Sequence, residues 1–109
     1  MNVEKMTERV SEGLNAAYSR ALHEHNTQTA PEHMLAALLE QERGIAPDIL
    51  VAAGADPKAI ERRATEAIGR LPRLTGSAAD SAQVTLSPEL ARTMTVAENE
   101  AKALQDDYT

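Results

Sequence analysis

Thr7-Glu8-Arg9-Val10-Ser11-Glu12-Gly13-Leu14-Asn15-Ala16-Ala17-Tyr18-Ser19-Arg20-Ala21 has a counterpart eighty positions later, Ser87-Pro88-Glu89-Leu90-Ala91-Arg92-Thr93-Met94-Thr95-Val96-Ala97-Glu98-Asn99-Glu100-Ala101. In each copy a hydroxyl residue stands three positions ahead of an apolar stripe: Val10, Leu14, Ala17 and Ala21, then Leu90, Met94, Ala97 and Ala101. Steps of three and four place each stripe on one face of a helix. Recurrence at a fixed offset marks one supersecondary unit used twice. The first copy runs on through Asn26 and Thr29 into Pro31-Glu32-His33-Met34-Leu35, a second helical pattern, whereas the second reaches Asp106-Asp107-Tyr108-Thr109. The expected fold is therefore all-α, a repeat whose second unit is cut after its first helix.

Caps and breakers divide the chain into about five helices, and no stretch reads as a strand. The first helix spans Val3 to His23, with Val3, Met6, Val10, Leu14, Ala17 and Ala21 on one face. Gly13 within it costs about 1 kcal/mol relative to Ala, so packing or a close neighbour must compensate. Thr29-Ala30-Pro31-Glu32 reads as an S/T-x-x-E capping box opening a second helix through Met34, Leu35, Leu38 and Leu39 to a stop at Gly44. A short third helix, Pro47 to Ala53, should turn Ile49 and Leu50 inward and end at Gly54. Asp56-Pro57 opens a fourth, with Ile60, Ala64, Ala67, Ile68 and Leu71 buried and Pro72 as its stop. Ser87-Pro88-Glu89 opens the fifth, which buries Leu90, Met94, Ala97, Ala101 and Leu104 and runs to about Gln105. The expected organisation is one domain: residues 1–74 as the first repeat, 75–86 as an inter-repeat loop, and 87–109 as the first helix of an incomplete second repeat.

Composition narrows the function. The apolar residues are almost all aliphatic, with no Phe or Trp and only Tyr18 and Tyr108, so the core must come from closely packed helices. A formal charge of −6 opposes sequence-independent binding to nucleic acid, which needs cations on phosphates. The run Arg62, Arg63, Arg70 and Arg73 is interleaved with Glu61 and Glu66 and reads as a solvated helix face. The absence of Cys fits a reducing compartment. With no signal peptide or membrane-spanning run in the sequence, a cytoplasmic chain without membrane contact is expected.

No catalytic constellation is found. There is no G-x-S-x-G, and without G-x-x-x-x-G-K-[ST] no P-loop can hold ATP. In His23-Glu24-His25 the two imidazoles sit about 200° apart on a helix, so a solvated helix end is favoured over a metal site. His33 reads as a packed, hydrogen-bonded helix histidine. The chain is expected to be no enzyme, with no metal and no cofactor of its own. The misplaced apolar residue is Val96, about 120° from the middle of the fifth helix's stripe. Its counterpart in the first copy is Ala16. With Met94 at the stripe's edge, Val96 is a candidate to line an exposed apolar groove for segments of other chains.

Thr7 with its following helix, the run Thr29-Ala30-Pro31-Glu32-His33-Met34-Leu35-Ala36-Ala37-Leu38-Leu39, Ala53-Gly54-Ala55-Asp56 and Leu71-Pro72-Arg73-Leu74-Thr75-Gly76 together resemble the Clp N-terminal repeat domain across essentially the whole chain. The Leu-Pro-x-x-x-Gly segment is more similar to the ClpB branch, the bacterial disaggregase, than to ClpA or ClpC. The resemblance implies a pseudo-twofold, all-helical domain of two four-helix units (a double Clp-N motif), of which three helices would follow Thr109. It further implies the N-terminal substrate-recognition module of a hexameric AAA+ chaperone of the stress response, whose ATP and Mg belong to AAA+ modules absent from this chain. Partners would be unfolded or aggregated polypeptides, bound in an apolar groove between the repeats. By position, the resemblance carries Thr7 and Asp106 onto polar places of the binding surface and Met94 and Val96 onto its apolar groove; Leu90 is counted with them as a candidate binding residue. The alternative is an adaptor-docking module of the ClpA/ClpC type. Because the missing helices would uncover apolar faces, the isolated chain is expected to self-associate.

Overall fold

The computed structural model describes residues 3–41, 44–76 and 84–107, with side chains described except at 3–7, 101 and 104–107. In chain order the elements are α1 (Val3–His23), β1 (Gln28–Thr29), α2 (Pro31–Glu40), α3 (Ala46–Ala52), α4 (Pro57–Gly69), β2 (Thr85–Leu86) and α5 (Pro88–Asp107). The helices match the expected pattern, and α1 has the expected bounds. Thr7 lies within α1, whereas its counterpart Ser87 stands ahead of α5, so the copies enter their helices differently.

α2 is the middle of the fold, buried through His33, Met34, Ala36, Ala37 and Leu39. One side of it joins Ala17 and Leu90 in a cluster of Met34 and Ala37, against which Val10, Leu14, Leu38 and Met94 pack. The other side places Ala36 with Ala64 and Ile68 of α4, backed by Leu71. Small side chains at these contacts let the helix backbones approach closely. Gly13 shows how close: a Cβ there would stand 2.9 Å from Leu38 Cδ2 and 3.4 Å from Met34 Cε. Beside it, Gln41 Nε2 donates to the Arg9 carbonyl at 2.7 Å, tying the end of α2 to α1.

Three expectations need correction. The first is the absence of strands. Gln28–Thr29 pairs in parallel with Thr85–Leu86, so β2 occupies the last positions of the stretch expected to be an inter-repeat loop; residues 77–83 of that stretch lie outside the described residues. Two residues are too few to show the period of two that marks a strand. The second concerns the cap of α2. With Pro31 as the first helical residue the N-cap is Ala30, not Thr29, and His33 rather than Glu32 stands at the third helical position. α2 also ends at Glu40, ahead of Gly44. The third is α3, which buries none of its residues; Ile49, expected inward, is 56% exposed. At seven residues α3 is too short to turn a whole face onto α2 and α4.

Other caps form as expected. Asp56 Oδ1 accepts from the Lys58 N–H at 3.1 Å, and Gly54 holds a positive φ after α3. The stripe of α4 is buried at Ala64 and Ile68. Gly13→Val should lower stability by about 1–3 kcal/mol in a denaturant melt, because the added methyls must displace Leu38. An unchanged midpoint would mean that Leu38 yields freely.

Candidate functional site

The candidate site lies on α5, and its start is fixed by two bonds of Ser87. Ser87 Oγ accepts from the Leu90 N–H at 3.0 Å, the usual satisfaction of a helix's first free donors. The Ser87 N–H donates to the Thr29 carbonyl at 2.9 Å, anchoring the helix entrance to β1. Pro88 and Glu89 follow in the first turn, where fixed φ and negative charge both suit a helix start.

Leu90 is 1% exposed, in the cluster with Ala17, Met34 and Ala37. This corrects its place among the surface-binding residues: its side chain is a support beneath the helix. Met94 packs half-buried against the same cluster. Burial along the stripe ends there. Ala97, expected to be covered, is exposed, as are the residues from Thr95 to Glu100 and Lys102 and Ala103. α2 spans only ten residues and reaches no further than the first turns of α5. The side chains of Ala101 and Leu104, counted in the same stripe, lie outside the described residues, as do those of Thr7 and Asp106.

Val96 is 59% exposed. It lies in a shallow, open depression with Glu89, Arg92, Thr93 and Ala97. The Thr93 hydroxyl donates to the Glu89 carbonyl at 2.9 Å, so its donor is satisfied within the helix. The surface is thus a small apolar floor between a carboxylate and a guanidinium. Among the described residues its lining comes entirely from α5, one helix face rather than two facing repeats, and Met94 is not part of it. The sequence pattern marks Glu89 only as part of a helix start and singles out neither Arg92 nor Thr93, although steps of seven, four and three back from Val96 place all three on its face.

A second polar arrangement lies at the junction of the helices. His33 is fully buried. Its Nδ1 accepts from the Ala30 N–H at 2.9 Å, and its Nε2 lies 2.8 Å from Asn26 Oδ1. Because Nδ1 accepts from a backbone N–H, the hydrogen is on Nε2, which donates to Asn26. Asn26 Nδ2 donates in turn to the Pro72 carbonyl at 3.0 Å. Burial lowers the His33 pKa below the usual histidine value, Arg20 adds to the effect, and Glu32 and Glu24 oppose it. The packed, hydrogen-bonded histidine expected from the sequence is what the structure contains. At the same junction Glu24 binds Arg73 at 2.6 Å, and His25 takes a left-handed conformation. Among the described residues no group of His, Asp and Glu could hold a metal, and no helix is long and apolar enough to cross a membrane.

Twin helical stripes and a small-residue core around a central helix make this an all-α repeat domain. The chain belongs to the Clp repeat (R) N-terminal domain family, whose model matches residues 5–109. Among its relatives, a chaperone protein ClpB of Rhodopseudomonas palustris is 39% identical over 108 residues, 99% of this chain. Those of Rhizobium meliloti and Clostridium perfringens are 35% and 34% identical over the same share. The chain spans 12% of the length of each of these relatives.

The burial difference separates the two α5 positions. Leu90→Ala should cost about 2–5 kcal/mol, since it empties part of a closed cluster. Val96→Ala should stay within about 0.5 kcal/mol. Thermal melts of both variants check this, and equal losses would mean that Val96 is packed.

Proposed function

We propose that this chain is the N-terminal substrate-recognition module of a ClpB-like AAA+ protein disaggregase, acting in the cytoplasm on unfolded or aggregated polypeptide. The observation that carries the reading is the exposed Val96, which lies off the core-facing stripe of α5 and shares a shallow depression with Ala97, a stripe residue left uncovered. Kinship with proteins named as chaperones supports it. The mechanism is weak capture of an apolar segment against Val96 and Ala97. Such capture tolerates many sequences because burial of apolar area has no directional requirement. Met94 supports the helix from its core side, and Thr7 and Asp106 are proposed as polar positions of the same surface. Hydrolysis of ATP with Mg, hexamer assembly and threading belong to parts of the parent outside this chain.

Glu89 and Arg92 at the edges of the depression favour a second reading, docking of a folded adaptor through charged contacts. Salt separates the two, since screening weakens ion pairs between exposed groups and leaves apolar capture nearly unchanged. Binding of an unfolded model protein should be weakened several-fold by Val96→Asp and be nearly insensitive to salt, with helix content unchanged. Binding that ignores Val96→Asp removes this residue from the site, and binding lost in salt selects adaptor docking.

A further inference from the structure

Thr29 and Ala30 share one peptide unit, a rigid planar group with the Thr29 carbonyl at one end and the Ala30 N–H at the other. Both ends are held. The N–H donates to His33 Nδ1 at 2.9 Å, and the carbonyl accepts from the Ser87 N–H at 2.9 Å. Ser87 is the residue whose hydroxyl caps α5. The imidazole on one side of this peptide and the entrance of α5 on the other are therefore two hydrogen bonds apart. Bonds in such a chain polarise and strengthen one another.

We propose that His33 is an acid-sensitive latch that fastens α5 to the first repeat through the Thr29–Ala30 peptide unit. A proton arriving at Nδ1 turns the acceptor of the Ala30 N–H into a second donor. Two N–H groups then face each other in a site closed to water, and the peptide unit loses the bond that orients it. The Thr29 carbonyl is freed to tilt, and with it the bonds to Ser87 and the parallel β1–β2 pair. Nε2 keeps its hydrogen and its acceptor, Asn26 Oδ1, so the break is confined to the Ala30 side.

The charged groups facing the imidazole come from each neighbouring element. Glu32 of α2 and Glu24, at the end of α1, favour the proton, while Arg20 of α1 opposes it. Glu24 is engaged by Arg73, beyond α4, and Arg20 by Glu40, which tempers both. Burial decides the balance against the charged ring. The sign follows: the closed form takes up the proton at lower pH than the opened form, whose pKa is the ordinary ~6.5. The latch is fully closed above that value and weakens as pH falls below it, by up to about tenfold in the opening equilibrium per pH unit.

At the third helical position a capping box normally carries Glu or Gln. His33→Gln should therefore retain an acceptor for the Ala30 N–H without the titration. Amide hydrogen exchange of the full chain, corrected for intrinsic rates from about pH 7.5 to about pH 5, tests the latch. In the wild type the Ala30 and Ser87 amides should lose protection together as pH falls. In His33→Gln that loss should be absent. Equal slopes in both proteins overturn the proposal, as does loss at Ala30 with full retention at Ser87. Should His33→Gln fail to fold, imidazole nitrogen shifts of the wild type decide instead. Protonation of Nδ1 that coincides with the loss at both amides supports the latch, and protonation with both amides still protected overturns it.

Discussion

The structure turns on the peptide unit between Thr29 and Ala30, held at one end by His33 and at the other by Ser87. Around it meet the end of α1, the start of α2, the segment after α4 and the start of α5. Asn26 extends the same junction, its side chain bonding His33 and Pro72 while its own N–H bonds the Ala21 carbonyl. In a core built largely from Ala, individual side chains bury little apolar area, so directional bonds have more to decide. A neutral buried network with its donors and acceptors matched can fix an arrangement that small side chains alone would leave loose. One group stands outside this matching: Thr29 Oγ1 is buried with no partner among the described residues.

Much of the helical architecture was legible in the sequence, because it rests on local rules. The α1 stripe gave its bounds, Asp56-Pro57 and Ser87-Pro88 marked two starts, and Pro72 marked an end. Gly13 could be read as a packing site because an interior helix glycine requires a compensating neighbour. What escaped notice depends on distant partners. The β1–β2 pair joins two segments 57 positions apart, Gln28 with Thr85, and neither has a recognisable strand pattern. The role of His33 as the acceptor at the start of α2 was hidden by a better-known motif, Thr29 to Glu32, displaced by one residue.

The candidate site was legible to a lesser degree. Val96 drew attention because it lies off the stripe, and exposure at that position follows from helix geometry alone. Leu90 was misplaced because a stripe shows which residues share a face and not how far along the helix that face is covered. The extent of cover is set by the ten residues of α2, a length fixed elsewhere in the chain. The charge pattern also changes between copies: Arg9 and Glu12 of α1 form an ion pair at 3.4 Å, while Glu89 and Arg92 occupy the equivalent places in reversed order around Val96.

The parallel pairing of β1 with β2 also bears on the order in which the chain assembles. Contacts of α2 with α1 and α4 close short loops, whereas the Thr29–Ser87 bond closes a long one, and loop entropy makes such contacts late. The first repeat can thus gather around α2 before α5 arrives, and the Thr29 carbonyl would already be oriented by His33 when Ser87 reaches it. Docking of α5 becomes the closing step of folding, made onto a prepared surface. By the same ordering it would be the first contact released when the protein opens.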